Sequence, residues 1–316
     1  MTDDLPATAQ LIHDLLRMAP TSSPAHRALH AKGVVASGTF TASGALAGLT
    51  TARHLVDGTT PATVRFSHPG GDPNVSDAIP SGRGLAVKLR TPGENHDLVS
   101  VSSPAFLVRD GAAFVELIMA RAPDPETGAP DPARMGAFLE AHPEALPAIH
   151  AALTATVPAS YATIAYNSLH TFLLVDGEGL RQPIRYTFIP VDGVHAADDP
   201  DTVTPDHLLT ELTARVARGP ASFDLVVAIG APDDPTDDPT AIWPERPTVV
   251  AGRLDITTIE PDAEPVIFDP TNVVTGVELP EGDEILALRR LVYGLSYGVR
   301  SASRPPGQPN CSTSVA

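Results

Sequence analysis

The sequence predicts an α+β fold, an antiparallel sheet flanked by helices, and three observations point to it. Thirty-three prolines and 24 glycines against 5% aromatic residues imply many turns and short elements. Brief runs with partial alternation or β-branched content recur between Gly, Pro, Asp and Asn clusters, as strands of an antiparallel sheet do. Separate stretches near the start, middle and end carry apolar residues at helical spacing. With 316 residues, 42% of them hydrophobic, the chain can bury a sizeable core.

Taken in order, residues 8 to 18 (TAQLIHDLLRM) place Leu11, Leu15 and Met18 on one helical face before Pro20 closes the segment. VVASGTFTAS, ATVRFSHP, GLAVKLRT, HDLVSVSS and PAFLVRD then read as strands. Positions 111 to 123 and 131 to 153 favour helix, the second stretch segmented by prolines. TFLLVDGEGLRQPIRYTFIPV predicts a hairpin with its turn at Asp176 to Gly179. LLTELTARVARG is a helix stopped by Gly219 and Pro220, and SFDLVVAIGA and TVVAGRLDITTIE are strands. DDPTDDPTAIWPERP between them is too rich in Pro and Asp for regular structure, and it lacks the glycine and final glutamate of a calcium-binding loop. Residues 281 to 304 form the last helix. There Arg289, Tyr293 and Arg300 follow at intervals of four and seven along one face, spanning about 16 Å.

The charge of -17 argues against a nucleic-acid partner, which requires a basic patch, and offers no attraction to anionic lipid. No run reaches about 18 continuous apolar residues, and the acidic start MTDDLPATAQ is unlike a secretory signal, so a cytoplasmic protein without a membrane partner is expected. Cys311 is the sole cysteine, which excludes an intrachain disulfide and a cysteine metal cluster. No GxGxxG lies in a strand-to-helix context, so no nicotinamide cofactor is assigned.

Three passages carry reactive side chains. RALHAKG holds Arg27 and His30; ATVRFSHP holds Arg65 and Ser67; the closing helix holds Arg289, Tyr293 and Arg300. On chemistry alone His30 is either a general base or a structural histidine, Tyr293 either an oxygen ligand or a packed aromatic, and the arginines either carboxylate receptors or surface ions.

Several spaced motifs at once carry a resemblance. RALHAKGVVASGTF, ATVRFSHPGG and GRGLAVKLRTPGENHDLVSVSSPAFLVRDGAAF resemble, in order, the distal-histidine, distal-serine and following core segments of the haem catalases. YNSLHTFLLVDGEGLRQPIRYTFIPVDG, DDPTDDPTAIWPERP, VIFDPTNVVTGVE and RRLVYGLSYGVR resemble the compact catalase-related peroxidases. The likeness covers residues 25 to 304. It implies a catalase-like antiparallel β-barrel with surrounding helices, holding haem (haem b) and hence iron. A lead of residues 1–24 would precede the haem domain, and a flexible tail of 305–316 would follow.

The resemblance makes His30 the distal acid-base group supported by Ser67, and Arg27, Arg65 and Arg300 the haem-carboxylate arginines. Tyr293 becomes the iron ligand, with Tyr297 as the competitor if the helical register is misread, and Arg289 favours its phenolate form. Phe106 and Phe114 fall at aromatic positions, Phe114 beside the haem face. Where typical catalases present a distal asparagine, the expected residue is Ser102, after Val101. A hydroxyl is a shorter donor with different reach from an amide, which moves the expected activity from catalase toward peroxidase. The expected partners are hydrogen peroxide or an organic peroxide and a small organic reductant, with homo-oligomerisation compatible. The alternatives are a true catalase, a fatty-acid hydroperoxide-converting enzyme, and a haem sensor or carrier.

Overall fold

A computed structural model describes residues 4–19, 21–124, 126–261 and 266–303. Cys311 and the expected tail, 305–316, lie outside the described residues.

Strands β1 (Gly33–Ala42), β2 (Thr59–Ser67), β3 (Gly84–Thr91) and β4 (Glu94–Val101) form a continuous antiparallel meander. After three helices come β5 (Tyr166–Ser168), β6 (Phe172–Val175) and β7 (Arg181–Pro190), then β8 (Ala221–Ile229) and β9 (Thr248–Ile259), and last β10 (Val277–Glu278). β7 is the closing strand. One of its edges pairs with β6 through residues 181–184 and with β5 through 187–188, while residues 184–190 pair with β8 on the other edge. β8 pairs with β9 and β9 with β1, so eight strands close into a ring, leaving β6 and β10 as a flap. Closure leaves none of those eight strands at a free end of the sheet, although β4 meets β5 only at Ser100 and Val101.

Strand alternation divides the side chains between the two faces. Val34, Ala36 and Phe40 of β1, Ala62, Val64 and Phe66 of β2, Leu85, Val87 and Leu89 of β3 and Phe223, Leu225 and Val227 of β8 share one buried core. Their neighbours in sequence face outward and make rows across β1 to β4: Gly33–Ser67–Gly84–Val101, then Val35–Arg65–Ala86–Val99, then Ser37–Thr63–Lys88–Asp97.

The helices are α1 (Leu5–Arg17), the single turn α2 (Arg53–Val56), α3 (Gly111–Arg121), α4 (Pro132–Ala141), α5 (Leu146–Leu153), α6 (His207–Val216) and α7 (Glu284–Ala302). Aspartate caps fix where several begin: Asp4 accepts from Ala7 N, Asp110 from Ala113 N, Asp131 from Ala133 N and Asp283 from Leu286 N. Helices α1, α3, α4 and α7 build a second core around Ala9, Ile12, Leu117, Phe138, Ile285 and Leu288. The N-terminal segment is therefore part of this layer: α1 packs against α7 and α3.

One sequence expectation changes. PAFLVRD is not a strand: Phe106 N donates to the Pro239 carbonyl, Phe106 packs with the helical core, and Asp110 caps α3. The second helical stretch is segmented at its prolines, as expected, a short 3-10 turn at Pro143–Ala145 separating α4 from α5. The Pro/Asp excursion is irregular, as expected, and is pinned by an Asp234–Arg246 ion pair and by Trp243 Nε1 donating to Pro235 O.

Candidate active site

Between the outward rows of β2 to β4 and the inner faces of α1 and α7 lies a cavity of about 180 Å³. Its barrel wall is Arg65, Ser67, Gly84, Ala86, Val99 and Val101, and its helical wall includes Ile12, Leu16, Ile285, Leu288, Val292 and Tyr293. Phe106, Phe114 and Phe268 also line it. The rings of Phe106 and Phe114 are 5.9 Å apart, so both expected aromatic positions are on the cavity.

His30 enters from the loop before β1 with φ of 55°, the one positive value at a non-glycine position among the described residues. A left-handed conformation costs a histidine about 1–3 kcal/mol unless the surroundings enforce it. The neighbouring segment does so: His30 N donates to Pro69 O at 3.3 Å and Ala31 N to Gly70 O at 3.0 Å. The ring then lies over Gly84, where an added Cβ would stand 3.0 Å from His30 Nδ1 and 2.7 Å from Ser67 Oγ. A side chain at residue 84 would therefore displace the pair. His30 Nδ1 and Ser67 Oγ share a hydrogen bond of 2.9 Å, which leaves Nε2 as the nitrogen for chemistry. Burial, followed by the positive charges of Arg65, Arg289 and Arg27 and by His68, lowers the His30 pKa to about 3, so the ring is neutral at physiological pH with a nitrogen lone pair free to accept a proton.

α7 delivers the opposite wall. Tyr293 lines the cavity, and its hydroxyl oxygen accepts from Arg289 Nε at 3.1 Å and Nη2 at 2.8 Å. Arg289 Nη1 lies 2.8 Å from His170 Nε2, and His170 Nδ1 lies 2.6 Å from Asp283 Oδ2. A guanidinium can only donate, so Nε2 accepts and the imidazole proton sits on Nδ1, facing the carboxylate. Burial holds the His170 pKa below its ordinary value despite the neighbouring Asp283, consistent with that neutral tautomer. Asp283 thus caps α7 through one oxygen and ends the Tyr293–Arg289–His170–Asp283 chain with the other. Sequence reasoning misses His170 and Asp283; the available signals are the YNSLHTF motif, which contains His170, and an aspartate one residue before a helix.

Arg27, Arg65 and Arg300 all line the cavity. Arg27 donates to Val266 O, Arg65 to Ala31 O at 3.4 Å, and Arg300 Nη1 to Ser296 Oγ at 3.0 Å. Tyr297, the competing residue, is absent from the lining; the Arg300 guanidinium carbon lies 5.7 Å from its ring centre.

Ser102 is the expected site residue that the fold does not bring to the cavity. Its Oγ accepts from Arg83 N at 2.9 Å and its own N–H donates to Arg83 O at 2.9 Å, so it serves the local backbone. The strand pairing puts Val101 in the outward row with Ser67 and Gly84, and Val101 lines the cavity. Because side chains alternate along a strand, a misreading by one residue exchanges the face that meets the site.

A slot with three arginines, a histidine on the barrel side, a guanidinium-bound phenol on the helical side and apolar walls between them has the donor chemistry of a flat, apolar, carboxylate-bearing metal macrocycle. The comparisons agree. A family model described as Catalase matches residues 10–303, and the chain belongs to the catalase family, whose cofactor is haem. Within it the similar proteins include short members: a catalase-related peroxidase of Mycolicibacterium paratuberculosis is 36% identical over 306 residues, covering 93% of this chain and 96% of that protein. A catalase-related peroxidase of Synechococcus elongatus is 31% identical, covering 86% and 82%. A catalase of Pseudomonas aeruginosa is 28% identical, covering 95% of this chain but 62% of its own length. The protein is accordingly a haem enzyme of peroxide metabolism. Among the described residues no helix is long and apolar enough to cross a membrane.

Proposed function

We propose that the protein is a peroxidase that reduces hydrogen peroxide or a small organic peroxide with electrons from a small organic donor, with dismutation of hydrogen peroxide a minor route. The observation that carries this reading is Val101. On the row beneath His30, Ser67 stands on one side of Gly84 and Val101 on the other, so the side chain that faces Gly84 on that flank is a hydrocarbon. Reducing one peroxide requires a single base that moves one proton. Dismutation also requires a second peroxide to be oriented while it gives up its hydrogens, a task that an apolar flank supports poorly.

Haem supplies the iron to which peroxide binds and the redox capacity for O–O cleavage. With haem bound, His30 Nε2 would move a proton from one peroxide oxygen to the other so that water can leave, the two electrons for the cleavage being supplied by the haem and restored by the organic donor. Ser67 holds Nδ1 and so the plane of the ring. Tyr293 would provide the oxygen ligand, and Arg289, with two N–H groups on that oxygen, would favour its anionic form. Arg27, Arg65 and Arg300 would hold the carboxylates, and Phe114, which lines the same cavity, would supply an apolar wall for the macrocycle.

Oxygen-monitored turnover of the haem-loaded protein, with hydrogen peroxide alone and then with phenolic and aromatic amine donors, tests the proposal. Donor-dependent peroxide loss with little oxygen is expected. Rapid oxygen release without a donor would establish a true catalase instead.

A further inference from the structure

We propose that the buried Lys88–Asp97 pair is a positioning device that holds the 266–272 strap against the haem cavity; this rests on the haem reading of the site. Neither residue lines the cavity. They face each other directly across β3 and β4, on the same outward face as Ala86 and Val99, which do. Lys88 is 8% exposed and Asp97 0%, and Lys88 Nζ lies 2.5 and 2.7 Å from the two carboxylate oxygens.

An ion pair removed from water gains little stability by itself, because the loss of hydration offsets the attraction. The further contacts of Asp97 indicate what the pair does. Asp97 Oδ2 also accepts from Asp269 N at 2.8 Å, and Asp97 N donates to Asn272 O at 2.9 Å. The strap is thereby fastened to β4 at two points. Asp269 also closes its own turn, accepting from Thr271 N at 2.8 Å and Thr271 Oγ1 at 2.7 Å.

The fastened segment carries two groups that reach the cofactor site. Val266 O receives the guanidinium of Arg27, and the Phe268 ring lines the cavity with Lys88 Nζ 5.8 Å from its centre. Asp97 therefore positions one arginine and one wall without touching the cavity. Lys88 makes a buried carboxylate tolerable at that point, and its stem lies under the aromatic wall.

Two double variants separate positioning from general stability. K88M/D97N removes both charges but retains a side-chain oxygen to accept the Asp269 N–H. K88M/D97L removes the charges and the acceptor. Transfer of haem from each loaded protein to excess apomyoglobin is measured beside the thermal midpoint of the apoprotein. The expected result is wild-type transfer for K88M/D97N, whose amide oxygen still accepts from Asp269 N, and transfer faster by up to about tenfold for K88M/D97L, the value of one hydrogen bond. Equal transfer rates in the two variants, or rates that only follow the thermal midpoints, overturn the proposal. Should K88M/D97L not fold, amide exchange of wild-type protein decides: residues 266–272 remain protected without haem if the pair holds them, and exchange freely if it does not. A wild-type chain that takes up no haem would instead remove the haem reading, and with it this inference.

Discussion

Replacing Val101 with asparagine tests the apolar flank of the distal pocket most closely. Valine and asparagine are nearly the same size, and the facing residue on β3 is Gly84, so an amide can be accommodated without overpacking. Val101 is half-buried, and losing its apolar contacts should cost about 1 kcal/mol, lowering the melting midpoint by roughly 2–4 °C. The gain is a donor beside His30. A hydrogen bond formed to a charged or developing-charge group is worth about 1.5–3 kcal/mol, which corresponds to oxygen release from hydrogen peroxide faster by about tenfold to a hundredfold. An oxygen electrode run without donor reads this directly, with S102N as the control. Ser102 is committed to the Arg83 backbone, so S102N should leave the oxygen yield unchanged and lower stability only. Raised oxygen release in S102N with none in V101N would refute the strand register on which the functional proposal stands.

Removing the His170 ring, as in H170A, leaves Arg289 Nη1 and the Asp283 carboxylate without their shared partner in a region 1% exposed at His170. Thermal or urea unfolding should show a loss of roughly 1–3 kcal/mol or more, and the ferric spectrum should report a less anionic Tyr293 oxygen. A second prediction concerns His54 and His96, which are buried inside the barrel 3.0 Å apart, with pKa values lowered by burial to about 4 and about 3. The unfolded chain binds protons on both near pH 6.5, so their neutral burial stabilises fully above that pH and the contribution is lost as pH falls toward 4. At pH 5 the cost is on the order of 2 kcal/mol per histidine. H54L/H96L should flatten the acid limb of apoprotein stability, and an unchanged limb would rule the pair out as its source. The same sign applies to His30: with its pKa near 3, peroxide cleavage should be independent of pH from 5 to 8, and a decline centred near 6.5 would contradict the buried, arginine-flanked setting.

Much of this architecture is legible in the chain because its strands are half-buried and alternate. GLAVKLRT forms β3 with the expected bounds, since Leu85, Val87 and Leu89 enter the barrel while Gly84, Ala86 and Lys88 turn out. The Asp176–Gly179 turn is legible too, because Gly179, with φ of 84°, occupies the conformation glycine adopts most readily. PAFLVRD misleads because an apolar run of that length fits either a strand or a loop packed on helices; here Phe106 belongs to the helical core. β5 and β10, with three residues and two, are too short to leave a periodic signal, although β5 helps to close the ring. Of the site, His30, Ser67, Tyr293 and the arginines line one cavity. The Ser102 expectation fails through a one-residue register, and the roles of His170, Asp283 and the Lys88–Asp97 pair depend on contacts between residues far apart in sequence.

One haem between His30 of the barrel loop and Tyr293 of α7 is the arrangement proposed for this site. The ferric absorption and electron paramagnetic resonance spectra of haem-loaded wild type, Y293F and Y297F test it most directly. Phenolate ligation is predicted in wild type and in Y297F, where the altered ring is off the cavity, and its loss in Y293F. A phenolate signature that survives in Y293F or disappears in Y297F would contradict the account.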